Sequence, residues 1–237
     1  MSKPYDDVIL KPRAFKNFSW KQVVYIPLDD PSLPLYSAIK KIALKEIKTI
    51  FGDLYLLKDK VVLYKCLGSP SAVLSLEPLI VSGAKEIVIL GFCGSLNQNF
   101  RIMSAVSISK ALSEEGTSRH YFPRKRIFDP SPALKTKIET VLHSSKLAFL
   151  SGSLVSTDAP YRETRPWLKD KQKRGIDVVD MEISAVFALA KFYGIQAAAL
   201  TIISDELWSG VWQEGFHTPE FKEKIGKYFI PFIEKNW

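Results

Sequence analysis

The stretch IDVVDMEISAVFALAKFYG, residues 176–194, joins a short apolar run to an amphipathic helix through Asp180-Met181-Glu182. After the acids, Ile183, Val186, Phe187 and Ala190 recur at i, i+3, i+4 and i+7. That spacing predicts a helix over 183–193 with one core-facing side. Gly194 suits a left-handed C-terminal cap. The run before the acids is short and β-branched, as expected of a buried strand. Two carboxylates therefore stand where a buried strand hands over to a buried helix. Burying a carboxylate is costly unless a partner compensates it. Asp180 and Glu182 are either solvated at a rim or kept there for a ligand.

The same alternation extends along the chain. Strands are expected at 61–66, 86–90, 105–109, 147–155, 177–179 and 196–203. Helices are expected at 36–51, 71–82, 132–144, 183–193 and 219–234. Alternation of this kind implies a layered α/β fold with a parallel or mixed sheet. Neither an internal repeat nor a low-complexity linker divides the chain, so residues 1–237 are expected to form a single domain. Pro4, Pro12, Pro27 and Pro31 mark residues 1–30 as an irregular N-terminal arm or edge element. In an open α/β sheet, ligands bind at the C-terminal ends of strands.

The formal charge of +8 would suit an anionic partner, but it is spread along the chain. The densest runs, PRKRIF (123–128) and KDKQKRG (169–175), are short and loop-like and read as solvated surface. No nucleic-acid motif accompanies them. Nothing approaches ~20 consecutive apolar residues, so no membrane span is expected. The N-terminus lacks the apolar core of a secretion signal, which makes the cytoplasm the expected compartment. Cys66, Cys93 and the three histidines have no metal-ligand spacing, so reduced thiols and no metal are expected.

Four stretches near strand ends carry groups capable of chemistry. EIVILGFCGSL (86–96) runs a strand into Gly91 and Gly94, where the backbone can turn sharply or approach a ligand. No helix pattern follows, which excludes a dinucleotide fingerprint. LSEEGTSRHYFP (112–123) reads as an exposed loop or as the polar lining of a pocket. In LVSTDAPYRET (154–164), Asp158 and Pro160 suit a turn. Tyr161 and Arg162 alternatively offer an aromatic face and a planar donor to a flat ring. AAALTIISDEL (197–207) stops at Ser204-Asp205. Asp205 is there either a helix N-cap or a proton-holding acid at a strand mouth.

Taken in order, these segments resemble the nucleoside phosphorylase superfamily. That family contains purine nucleoside phosphorylases, uridine phosphorylases and the nucleosidases acting on methylthioadenosine and adenosylhomocysteine. The similarity runs from about residue 61 to 207, and its most specific elements are Met181-Glu182 and Ser204-Asp205. The resemblance implies an α/β/α sandwich, three layers around a mixed, strongly curved central sheet, assembled as a homo-oligomer. It implies that Glu182 binds the ribose hydroxyls and that Met181 packs on the sugar. Asp205 then protonates or hydrogen-bonds a purine-type leaving base. Tyr161 lies near the base-stacking position, with Arg162 beside it. The backbone of Cys93 and Gly94 passes beside the nucleoside. Breaking an N-glycosidic bond generates an oxocarbenium-like sugar, for which a carboxylate near the 2-hydroxyl is apt. No cofactor is implied beyond phosphate as co-substrate.

The family's phosphate motifs are altered here. Its N-terminal Gly-Asp-Pro-x-Arg loop is absent, and Ile89 and Phe92 occupy the arginine and serine positions around the glycine turn. Arg101, Arg119, Arg162 or a neighbouring subunit would have to hold the anion. Asp29 and Asp30 stand near the place where the nucleosidases carry a water-activating acid. The expected activity is phosphorolysis of a purine-type nucleoside. Hydrolysis by water and non-catalytic nucleoside binding are the alternatives.

Overall fold

A computed structural model describes residues 8–28, 30–235 and 237. The chain order is β1 (Gln22–Ile26), α1 (Pro34–Ile42), β2 (Lys45–Lys48), β3 (Asp53–Leu56), β4 (Lys60–Tyr64), α2 (Ser69–Ser82), β5 (Glu86–Ser95) and β6 (Ala105–Ser113). There follow α3 (Ser118–Tyr121), β7 (Ile127–Phe128), α4 (Pro132–Ser144), β8 (Leu150–Ser156), α5 (Arg165–Lys173) and β9 (Val178–Asp180). The order closes with α6 (Ile183–Tyr193), β10 (Gln196–Glu206), β11 (Gln213–Glu214) and α7 (Pro219–Glu234).

All the strands among the described residues belong to one mixed sheet. One wing runs β2-β3-β4-β1-β5. At β5 the sheet curls. β5 pairs with β10 in parallel and with β9 antiparallel, while β10, β6, β8 and β9 pair in succession. Five strands thus close a ring, which accounts for the strong curvature. Helices cover both faces. Val24 and Ile26 pack with α1, α4 and α7, whereas Val23 and Tyr25 face the core shared with α2 and α6. This is the period-2 alternation of a strand buried on both sides. Among the described residues, no helix is long and apolar enough to cross a membrane.

The helices at 132–144, 183–193 and 219–234 form as expected, and Gly194 caps α6 with φ of 66°. Four expectations need correction. The arm expected over residues 1–30 contains β1, an interior strand flanked by β4 and β5. Pro27 follows this strand rather than interrupting it, and Val23-Val24-Tyr25-Ile26 is the continuous apolar run that a doubly buried parallel strand requires. The helix expected over 36–51 ends at Ile42, and Lys45–Lys48 pairs antiparallel with β3. The basic run at 169–175, expected as loop, lies largely in α5. Pro166 stands at the start of that helix, and the Thr164 hydroxyl caps it by accepting from Trp167 N. Finally, Gly91-Phe92-Cys93-Gly94 is no turn, because β5 runs extended through both glycines to Ser95.

Candidate active site

A cavity of about 600 Å³ opens where the C-terminal ends of several strands meet. Pro27 and Leu28 follow β1 and Leu67 follows β4. Phe92, Cys93 and Gly94 come from the end of β5, and Pro160, Tyr161 and Glu163 from the segment after β8. Val179, Asp180, Met181 and Glu182 span β9 and the start of α6, while Ser204, Asp205 and Leu207 belong to the end of β10 and the residue after it. Trp212 and Phe216 complete a largely apolar wall. Its size suits a small organic ligand.

Two local devices aim Asp205 into this cavity. The β5–β10 register passes from Ile203 opposite Cys93 to Asp205 opposite Gly94, leaving Ser204 as a bulge. A bulge re-aims the side chain that follows it. Opposite, Gly94 has no side chain to obstruct the carboxylate. A Cβ built there would lie 3.2 Å from Asp205 Oδ2, 3.1 Å from Val179 Cγ1 and 2.7 Å from Leu207 Cδ1. Close approach by neighbours, rather than a turn, is what demands glycine at this position. Ser204 Oγ donates to Asp205 Oδ1 at 2.6 Å, and Trp212 Nε1 donates to Oδ2 at 2.9 Å.

Across Gly94 lie the acids of the opening stretch. Asp180 is buried, accepting from Ser156 Oγ at 2.5 Å and from the backbone N–H groups of Glu182 and Ile183 at 3.1 and 2.8 Å. It thus caps the N-terminus of α6, where a negative charge is favoured. Glu182 is buried too, and the Gly68 backbone N–H donates to its Oε1 at 2.6 Å. Burial raises the pKa of both acids, and the neighbouring Asp180 charge raises that of Glu182 further. Ser69 Oγ donates to the Met181 carbonyl at 2.6 Å, tying the start of α2 to this wall. A fourth carboxyl, Glu163, is pushed up to about 7 by burial and then by the Asp205 charge.

The expected site residues divide accordingly. Met181, Glu182, Asp205, Tyr161, Cys93 and Gly94 line one cavity. Tyr161 is exposed at its rim, and the Cys93 thiol, raised in pKa by burial, is engaged with Thr201 Oγ1 at 3.1 Å. Arg162 is exposed and lies outside the lining. Arg101 also points elsewhere, pairing with Glu206 at 2.8 Å and lying over the Trp208 ring. Arg119, exposed on α3, does not reach the cavity. Among the described residues, the cavity lining includes no lysine, arginine or histidine. Phe92 packs against Phe221 at 5.0 Å, and Ile89 is fully buried. Asp30 holds Ser32 in a turn outside the cavity, and Asp29 lies outside the described residues.

The stretch 112–123, expected as loop or pocket lining, runs from the end of β6 into α3 and is anchored rather than pocket-lining. Glu115 is buried and accepts from the hydroxyls of Ser113, Ser118 and Ser184, the last of these on α6. Sequence reasoning missed Glu163, Trp212 and the apolar residues after β1. Glu163 stands within APYRET, but beside Tyr161 and Arg162 nothing in its spacing marks it. An aromatic pair in LWSGVW, just past a strand end, was an available sign of a wall.

A family model described as the phosphorylase superfamily matches residues 32–233. The chain belongs to the phosphorylase superfamily. This superfamily member is 28% identical over 158 residues to a guanosine phosphorylase from Halorubrum lacusprofundi, covering 67% of this chain and 66% of that protein. It is 28% identical over 149 residues to a DeoD-type purine nucleoside phosphorylase from Bacillus cytotoxicus, covering 61% and 62%. The matched part therefore spans slightly under two thirds of those relatives' lengths. The fold is that of the purine nucleoside phosphorylase of Toxoplasma gondii solved with immucillin-H, with a TM-score of 0.74, 19% identity and 90% of each chain covered. The α/β sandwich with a curved mixed sheet expected from the sequence is the fold observed.

Proposed function

We propose that the protein cleaves the N-glycosidic bond of a purine-type nucleoside, with phosphate as the acceptor of the sugar. One observation carries this reading. Glu182 and Asp205, 23 positions apart in sequence, open onto one cavity on either side of the bare Gly94 backbone. Glu182 accepts the ribose hydroxyls, and in its ionised form its charge favours the oxocarbenium-like sugar formed as the bond breaks. Met181 packs on the sugar. Asp205 meets the heterocycle at the other end, where the leaving base needs a proton. Tyr161 at the rim and the apolar wall of Phe92, Trp212 and Phe216 receive the flat ring.

A second reading, hydrolysis, has one observation in its favour. A phosphate dianion would enter a cavity lined by four acids and, among the described residues, no cation. Phosphorolysis in this cavity therefore depends on a cation from outside the described lining, such as one from a second copy of the chain, whereas water needs none. The test incubates a panel of purine nucleosides with the protein, with and without phosphate, and identifies base and sugar products. Ribose 1-phosphate means phosphorolysis and free ribose means hydrolysis. No base release from any nucleoside would leave a binding protein. Asp205→Asn is expected to cut turnover far more than nucleoside affinity.

A further inference from the structure

We propose that Glu163 is the carboxyl that carries the proton to the departing heterocycle, working as a pair with the Asp205 carboxylate. This rests on the cleavage reading above and extends it to the source of the proton.

Four carboxyls line the cavity: Asp180, Glu182, Asp205 and Glu163. Three are committed. Asp180 accepts from Ser156 and from two backbone N–H groups of α6's first turn. Glu182 accepts from Gly68 N on the sugar side of Gly94. Both Asp205 oxygens are engaged as acceptors, one for Ser204 Oγ and one for Trp212 Nε1. Glu163 differs. It sits half-buried just after the short turn of Pro160–Arg162, and among the described residues no hydrogen bond or ion pair engages its carboxyl. The titratable groups sharing its cavity are Asp205 on β10, Asp180 and Glu182 at the start of α6, Tyr161 beside it and the Cys93 thiol on β5. Its sequence neighbours Arg162 and Arg165 form no described ion pair with it. Arg165 lies instead near Gly210.

An acid in an apolar cavity beside an anion and without a cation retains its proton. Burial, then Asp205, pushes Glu163 up to about 7, where proton storage and release are both effective at neutral pH. In the step, the proton passes from Glu163 to a ring nitrogen as the bond between sugar and base breaks. The bonding electron pair leaves with the base, and the sugar carbon takes an oxygen of water or phosphate. Glu163 remains as carboxylate and regains a proton from solvent.

The test compares the wild type with Glu163→Gln, which preserves shape but cannot transfer a proton. Base release is measured across pH, together with nucleoside affinity and the infrared carboxyl band of the free protein. The wild-type kcat/KM is expected to fall as pH rises through about 7, the value of the free protein. The glutamine variant is expected to lose ~10²-fold or more in kcat and to lose that limb of the profile, with affinity unchanged. The protonated carboxyl band titrating near neutrality is expected to lose one group's share in the variant, leaving the shares of the buried Asp180 and Glu182. If the wild type releases base and Glu163→Gln keeps its rate and pH limb, the proposal falls while the cleavage reading stands. If the wild type releases no base under any condition, the cleavage reading fails and this step goes with it.

Discussion

Glu182→Gln should weaken nucleoside binding and yet stabilise the protein at neutral and alkaline pH. The carboxylate is buried between Asp180 and the Gly68 N–H, and burial raises its pKa. A group whose folded pKa is raised lends its full stability below the unfolded value, near 4.3 for glutamate. That contribution drains away as pH climbs through the folded value, because the folded state must then bury a charge that the unfolded chain solvates. Glutamine fills the same volume and still accepts from Gly68 N, but it never ionises. Each tenfold change in proton affinity corresponds to about 1.4 kcal/mol, so a buried acid of this kind should release on the order of 1–3 kcal/mol when neutralised. For a chain of this length each kcal/mol moves Tm by about 2–4 °C. Thermal unfolding of both proteins at acidic, neutral and mildly alkaline pH reads the effect directly. The wild type should lose stability as pH rises from about 5 to 8, and the variant should lose less. Nucleoside affinity should fall at least tenfold, since hydrogen bonds to a charged group contribute about 1.5–3 kcal/mol each. Parallel stability profiles for the two proteins would refute the claim that Glu182 is a strained, buried acid held for a ligand.

Other perturbations probe the same cavity. Gly94→Ala places a Cβ against Leu207, Val179 and Asp205, and should cost about 1–3 kcal/mol in urea denaturation while reducing base release more than thermal stability alone explains. Trp212→Phe removes the Nε1 donor to Asp205 from an exposed ring, so stability should hold while kcat drops about three- to tenfold, the worth of one ordinary hydrogen bond. Glu115→Ala strands the hydroxyls of Ser113, Ser118 and Ser184 and should lower stability by about 2–4 kcal/mol, with the 112–123 loop becoming protease-sensitive in limited digestion.

Much of this protein was legible in short-range pattern. The 3.6-residue stripe of α6, the left-handed glycine after it, the proline at the start of α4 and the apolar core of β10 are local features, and local sterics decide them. The acids at 180, 182 and 205 were visible as anomalies because each ends an apolar run. What sequence alone left open depends on long-range pairing. β1 becomes an interior strand because β4 and β5 flank it, although the prolines before and after it suggested an edge. Gly94 is extended because β9 and β10 close on β5 from both sides. Asp205 faces the cavity because the ladder slips by one residue at Ser204, a slip with no local signature. Glu163 lies one position past an unremarkable turn, and only the curl of the sheet brings it under the influence of Asp205 in a cavity whose described lining has no cation. Periodicity reports which face of an element is buried. Which carboxyls share a cavity, and which of them has no partner, depends on strand pairings between segments far apart in the chain.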